Sequence, residues 1–178
     1  MTVCVESEAL AELTQAIDAV FDQPQAQWPA AVQAALQESF AQGNWIPPQQ
    51  RQSDPDRYNR HVLHADPQGR YTVVALVWRQ GQFSPVHAHH TWCALTVVQG
   101  TLREHYYSWD AATETAHHHA WQLRVPGQGS SGHAGLHAIH RLGNPQGDEA
   151  ISVHVYGVDS ARVSTDVNHC VAHESYSL

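Results

Sequence analysis

Residues 81–100 read GQFSPVHAHHTWCALTVVQG, and two histidines inside this stretch are the most informative feature of the chain. Residues two positions apart on a β-strand point to the same face, so His87 and His89 would present their imidazoles side by side. Imidazole is a ligand for iron, zinc, copper and nickel. The pair therefore predicts half of a metal site without choosing the metal, although the chain contains 15 histidines and such a spacing also arises by chance.

Composition narrows the class of protein. The net charge of −8, with the histidines neutral, argues against nucleic acid as the main partner. No apolar run is long enough to cross a membrane, and Met1–Glu8 has neither a basic region nor a signal-like apolar stretch. Three widely spaced cysteines exclude a disulfide scaffold. We expect a cytoplasmic monomer without a nucleic-acid or membrane partner.

The spacing of apolar residues changes at about residue 57. Residues 8–22 follow a helical pattern with Ser7 as a candidate N-cap, and a second helix is predicted from about Trp28 to Gln42. Strands are predicted at Tyr71–Trp78, Cys93–Val98, Thr101–Trp109, Ala120–Val125, Leu136–Leu142 and Ala150–Tyr156. Many short strands at near-regular spacing indicate a sandwich or barrel.

These patterns predict a single domain over residues 1–178. We expect N-terminal helices in residues 1–48, a metal-binding β-barrel in residues 57–160 and a tail in residues 161–178. The length of the chain suits one domain with a core of fair size.

The histidine pair lies in a pattern that resembles the first motif of the cupins, small jelly-roll barrels with a metal in the barrel mouth. That motif has a glycine, five residues, His-x-His, an acidic ligand and a second glycine. Gly81, His87, His89 and Gly100 match it. Cys93 stands at the acidic position, so the usual carboxylate ligand is missing.

The second cupin motif ends in His-x-x-x-Asn, which His140 and Asn144 match. His137 lies three residues earlier and is a rival third ligand. With His140, the predicted site has three neutral ligands, which leaves the full charge on the metal and open positions for substrate and dioxygen. The alternative is a cupin with a vestigial site, or a storage or sensor barrel.

Residues 150–157 read AISVHVYG and form the third element. Ser152, His154 and Tyr156 would share one face of a strand, and three aliphatic residues the other. If the aliphatic face packs on hydrophobic neighbours, the polar face lines the lumen of the barrel and can form a hydrogen-bonded chain that ends at the metal. The alternative is a solvent-facing strand with ordinary polar residues.

Together these residues resemble the cysteine dioxygenase type I family, thiol dioxygenases of the cupin superfamily, over about residues 57–157. The resemblance is carried by Tyr58-Asn59-Arg60, His87-Ala88-His89, Cys93, His140 and Ser152-Val153-His154-Val155-Tyr156. It implies a mainly β cupin barrel, with an α-helical N-terminal segment, in which His87, His89 and His140 hold non-haem Fe(II). It further implies catalytic roles for Ser152, His154 and Tyr156 and a thioether that joins Cys93 to Tyr156.

The resemblance also assigns a substrate. In the family an arginine at the place of Arg60 pairs with the substrate carboxylate, and Tyr58 matches a further tyrosine of the pocket. In the related mercaptopropionate dioxygenases the arginine is typically glutamine. The expected reaction is oxidation of L-cysteine with O2 to cysteine sulfinic acid.

Three other functions stay open. The same chemistry could act on 3-mercaptopropionate or another small thiol. A zinc or manganese cupin could be an isomerase or hydrolase, although those usually keep the carboxylate ligand. A non-catalytic cupin could bind a metal or sense a ligand, although the first 56 residues contain no basic recognition helix.

The remaining histidines are predicted to have no role in the site. We expect His90 at the rim, His117–His119 in a solvated loop and His169–His173 in the tail, where the pattern is too incomplete for a structural zinc site.

Overall fold

Two five-stranded antiparallel sheets form most of this computed structural model, which describes residues 2–175, with side chains from residue 8 onward. The strands are β1 Asn59–Ala65, β2 Thr72–Trp78, β3 His87–His89, β4 Cys93–Gln99, β5 Leu102–Asp110, β6 Thr115–Arg124, β7 Gly129–Gly132, β8 Gly135–Gly143, β9 Ala150–Tyr156 and β10 Asn168–Cys170. The sheet orders are β1-β2-β9-β4-β7 and β10-β3-β8-β5-β6. This is the mainly β cupin barrel that the sequence predicts.

Two helices, α1 Thr2–Val20 and α2 Trp28–Ser39, precede the strands. The predicted N-cap Ser7 lies inside α1, because the helix begins five residues earlier. The second helix ends before the predicted Gln42, because the chain leaves helical geometry at Phe40 and turns through Gly43, whose φ is +125°. Among the described residues, no helix has the length and apolar character needed to cross a membrane.

The helices cover one face of the first sheet and leave its other face to the lumen. Leu13 and Ile17 of α1 and Leu36 of α2 are buried in one cluster with Ile151, Val153 and Val155 of β9. The aliphatic face of β9 therefore packs on the helices, and its polar face turns toward the second sheet. Burial of Ser152, His154 and Tyr156, each 4% exposed or less, excludes the solvent-facing alternative for this strand.

Five of the six predicted strands occur with ends within one residue of the prediction. The exception is β6, which begins at Thr115 and takes in His117–His119, so the predicted loop is wrong. These histidines belong to the pairing of β5 with β6, in which His118 lies opposite Tyr107. A polar run fits a strand here because β6 is at the edge of its sheet and much of it is exposed.

The segment assigned to the tail contributes a strand. Residues 168–170 form β10, which pairs with β3 so that Cys170 lies opposite His87 and Asn168 opposite His89. The edge of the second sheet beside the two histidines is therefore built by residues from outside the predicted barrel range of 57–160.

Gly100 shows why the first motif ends in glycine. It joins β4 to β5 with a φ of +69°, a conformation that L side chains rarely adopt. A Cβ at this position would also lie 2.8 Å from the backbone of Ala150. The turn brings β5 back beside the strands that carry the candidate metal ligands.

Candidate metal centre and substrate pocket

Three buried histidines from two neighbouring strands meet inside the barrel. His87 and His89 come from β3, and His140 of β8 lies opposite His87 in the strand pairing. Their candidate ligand atoms all lie within 4.8 Å of one another, and each residue is 9% exposed or less. No other such group of potential metal ligands occurs in the part of the chain that the structure describes.

Hydrogen bonds orient two of the three rings. Nδ1 of His87 lies 2.9 Å from the carbonyl oxygen of Pro85, and Nδ1 of His140 lies 2.8 Å from Oε1 of Glu104. Carbonyl and carboxylate oxygens accept only, so each Nδ1 carries the proton and each Nε2 keeps its lone pair. Burial lowers the pKa of His87 to about 3 and that of His89 well below its ordinary value, with the His140 charge acting in the same direction. Neutral imidazoles of this kind are suited to coordinate a metal.

The choice between His137 and His140 follows from strand parity. The two residues are three apart on β8 and so face opposite sides of the strand. His140 is buried in the cluster, whereas His137 is exposed. The structure therefore brings His140 and not His137 to the other two histidines.

A chain of hydrogen bonds follows the polar face of β9. Ser152 Oγ lies 2.9 Å from His154 Nε2, and the Tyr156 hydroxyl lies 3.1 Å from His154 Nδ1. The indole of Trp78 on β2 donates to Ser152 Oγ at 2.9 Å, which the sequence analysis did not anticipate. Trp78 is almost fully buried.

Trp78 gives this chain a direction. Burial lowers the pKa of His154 to about 3, so its ring is neutral and offers one donor and one acceptor. Ser152 Oγ already accepts from Trp78, and within residues 8–175 its only other hydrogen-bond partner is His154. The serine is fully satisfied when it donates to Nε2. Nδ1 then donates to the oxygen of Tyr156, which leaves the phenol proton free for another acceptor.

Cys93 and Tyr156 lie directly opposite each other in the pairing of β4 with β9. Both are buried, at 3% and 4% exposure. Burial raises the pKa of the Cys93 thiol, to which the charge of Glu104 adds, and burial raises the pKa of the Tyr156 phenol. Both groups are therefore protonated at neutral pH.

Arg60 and Tyr58 form the opposite side of the same cavity. The cavity is lined by Tyr58, Arg60, Leu76, Trp78, Ser84, His87, His89, His140, Leu142, His154, Tyr156 and Asn168. Arg60 donates from Nη2 to the Tyr58 hydroxyl at 3.0 Å, and its buried Nε has no hydrogen-bond partner. An unpaired buried guanidinium nitrogen beside a cavity is suited to a carboxylate ligand.

Two of the predicted site residues, Ser152 and Cys93, do not line this cavity, and all the others do. Ser152 lies behind His154, to which it is bonded. Cys93 lines a second cavity, whose wall also includes His89, Glu104 and His140. His90 is exposed, stacks on His169 with ring centroids 4.7 Å apart, and is not part of the histidine cluster.

The sequence analysis missed Glu104, although a signal was present. Leu102 and Glu104 are two apart on β5 and share one face, and both are buried. A carboxylate on the apolar face of a strand indicates a buried partner. Burial would raise the pKa of Glu104, but its bonds to His140 and Tyr106 and the charge of Arg124 hold it at about 2.

Comparison with known proteins identifies a family and similar folds. The family model for cysteine dioxygenase type I matches residues 1–163. An uncharacterised conserved protein with a double-stranded β-helix domain from Klebsiella pneumoniae subsp. pneumoniae MGH 78578 is 18% identical, with a TM-score of 0.48 over 64% of this chain and 87% of that chain. For the protein TT1209 from Thermus thermophilus the values are 17%, 0.49, 64% and 96%. The match to the family model spans most of the chain and decides the assignment.

Proposed function

The chain belongs to the cysteine dioxygenase type I family, and from this we propose that it is an iron-dependent dioxygenase that oxidises L-cysteine with O2 to cysteine sulfinic acid. One observation carries the proposal: three buried histidines and an arginine with an unpaired buried nitrogen line the same small cavity. This cavity offers a metal cluster at one side and a carboxylate partner at the other.

The histidine cluster fits Fe(II). Three neutral imidazoles converge within 4.8 Å, and no carboxylate joins them among the described residues. His87, His89 and His140 would hold the ion. When bound, Fe(II) would supply open coordination positions for the thiol and dioxygen and the redox chemistry that the reaction needs.

Arg60 supports an amino-acid substrate. Its guanidinium presents a planar fork that matches a carboxylate, and a charge-assisted hydrogen bond of this kind is about twice as strong as a neutral one. The Tyr58 hydroxyl accepts from Arg60 and so keeps its own proton for donation. We propose that both groups hold the carboxylate of L-cysteine and thereby orient the thiol toward the histidines, which is a proximity effect.

Tyr156 is proposed as the hydrogen-bond donor to the reacting groups in the cavity. The direction that Trp78 gives to the chain through Ser152 and His154 leaves the phenol proton available. The raised pKa of Tyr156 keeps that proton in place. Ser152 and His154 act by holding the phenol in this orientation.

We further propose that a thioether joins Cys93 to Tyr156. The bond would form between the cysteine sulfur and a ring carbon beside the phenol hydroxyl. The thiol and ring hydrogens leave as two protons, and two electrons reduce dioxygen to hydrogen peroxide. Directly opposed residues on antiparallel strands have Cβ atoms about 4.5–5.5 Å apart, which supports the pairing.

The test of this function is oxygen uptake by Fe(II)-loaded protein, with L-cysteine and 3-mercaptopropionate supplied in parallel. We expect uptake with L-cysteine, matched by an equal amount of sulfinate product. A preference for 3-mercaptopropionate would overturn the assignment of substrate and leave thiol oxidation standing. Absence of uptake with both thiols would contradict the proposed activity.

A further inference from the structure

We infer that Glu104 is a positioning residue of the metal centre, because its carboxylate bonds Nδ1 of His140, fixes which ring nitrogen faces the metal and places a negative charge behind that ligand. The inference rests on the proposed three-histidine centre and extends it beyond the ligands themselves. It assigns a purpose to a buried carboxylate that no part of the proposed reaction uses.

The carboxylate of Glu104 is saturated with donors. Oε1 accepts from His140 Nδ1 at 2.8 Å and from Ser130 Oγ at 2.8 Å. Oε2 accepts from the Tyr106 hydroxyl at 2.7 Å and from Arg124 Nε at 2.8 Å. A carboxylate has about four acceptor sites, so every site is used. The side chain is held from four directions and cannot move without breaking several bonds.

This network orients His140. The residues that fix Glu104 come from β5, β6 and β7, whereas His140 comes from β8, so the ring is anchored to three strands other than its own. Because an ionised carboxylate accepts only, His140 must present Nδ1–H to it and Nε2 to the cavity. Arg124 balances the charge of Glu104 but binds only Oε2, which leaves Oε1 for His140 and Ser130.

The charge has a reason to be there. Cys93 occupies the position at which the first cupin motif has an acidic ligand, so the cluster itself contains only neutral donors. Glu104 returns a carboxylate to the site one residue further from the metal, and it lines the same cavity wall as Cys93. A carboxylate behind a ligating histidine raises the basicity of that ligand and typically strengthens metal binding by about 10–100-fold. His87 has only a neutral carbonyl as its partner.

The first experiment uses the unaltered chain. Long-range 1H–15N correlation spectra of protein with 15N-labelled histidine report which ring nitrogen carries the proton, with the His140 signals assigned by their loss in His140→Asn. We expect His140 in the Nδ1–H form in both the metal-free and the Zn(II)-loaded protein. A proton on Nε2 of His140 in the metal-free protein would overturn the inference.

The second experiment measures affinity for Co(II) alone, by optical titration, in Glu104→Gln. The amide keeps an acceptor for His140 and removes the charge, and we expect affinity to fall by about 10–100-fold. Asp66→Asn is the matched control: Asp66 is also a buried carboxylate, bonded to Arg70 at 2.9 Å, and it lines neither cavity beside the histidines.

The outcomes separate the inference from the proposed function. Unchanged affinity in Glu104→Gln, or an equal loss in Asp66→Asn, would overturn the positioning role, since a general loss of stability would then account for the effect. If the unaltered protein binds no Co(II), the three-histidine centre is wrong and the inference falls with it. If Glu104→Gln does not fold, the protonation state of His140 in the unaltered protein decides.

Discussion

Cys93 lies directly opposite Tyr156 where β4 pairs with β9, and both side chains are buried beside the histidine cluster. His154 and Ser152 extend from this pair along β9 through hydrogen bonds of 3.1 and 2.9 Å. The strand pairing therefore connects the residue that replaces the cupin carboxylate with the proposed hydrogen-bond donor. The two residues are in position to become one covalent unit.

Turnover is expected to create the thioether in this pair. Protein incubated with Fe(II), L-cysteine and O2 should lose the mass of two hydrogens, as measured by intact-protein mass spectrometry. Cys93→Ala should show no loss. Cys170→Ala is the control, because Cys170 is exposed on β10 and should leave the mass change intact. A mass loss that persists in Cys93→Ala would contradict the proposed pair.

Removal of the third histidine should abolish metal binding. His140→Ala takes one of three converging ligands from the cluster, and we expect Fe(II) retention after gel filtration to fall to background. His137→Ala removes an exposed histidine on the same strand and should retain Fe(II) fully. The opposite pattern would mean that β8 presents its other face to the metal.

Arg60→Gln should weaken the binding of L-cysteine. The loss of a hydrogen bond to a charged group costs about 1.5–3 kcal/mol, so KM for L-cysteine should rise by roughly 10–150-fold. Arg57→Gln is the control, because the Arg57 side chain is 82% exposed and its ion pair with Asp54 spans 3.7 Å. Steady-state oxygen uptake measures both variants, and similar KM values for the two would remove Arg60 from the substrate pocket.

Tyr156→Phe should slow turnover while metal affinity stays unchanged. The variant removes only the hydroxyl, and the loss of one hydrogen bond worth about 1 kcal/mol predicts a fall in kcat of roughly fivefold or more. Trp78→Phe should give a smaller fall, because Ser152 loses its donor and the direction of the chain is no longer fixed. Retained iron with unchanged kcat in Tyr156→Phe would exclude the proposed role.

Asp66 gives a prediction about stability and pH. Its hydrogen bonds to Arg70 hold its pKa at about 2, below the ordinary value of 3.8. A lowered folded-state pKa stabilises the protein above the unfolded value, and this contribution is lost as pH falls from about 4 to 2. The difference in free energy of unfolding between the unaltered protein and Asp66→Asn should therefore shrink across that range in urea titrations. A difference that is constant with pH would contradict the ion pair.

Local patterns in the sequence predicted the parts of the site that depend on a single strand. The two-residue spacing of His87 and His89, and the alternation along β9, each place side chains on one face without knowledge of the neighbours. Burial of the aliphatic face of β9 against the helices then turned Ser152, His154 and Tyr156 to the lumen.

Contacts between strands could not be predicted in this way. Trp78 meets Ser152 because β2 pairs with β9 in one particular register, and Glu104 meets His140 because β5 pairs with β8. The register of a pair is set by the whole sheet and its turns, not by either strand alone. The strand β10 has three residues, too few to show any periodicity.

The most direct test of the central claim is the isotopic composition of the product. Fe(II)-loaded protein should be supplied with L-cysteine under 18O2, and the product analysed by mass spectrometry. The account predicts cysteine sulfinic acid in which both sulfinate oxygens carry the label. A product with one labelled oxygen, or cystine with none, would contradict a dioxygenase acting at this three-histidine centre.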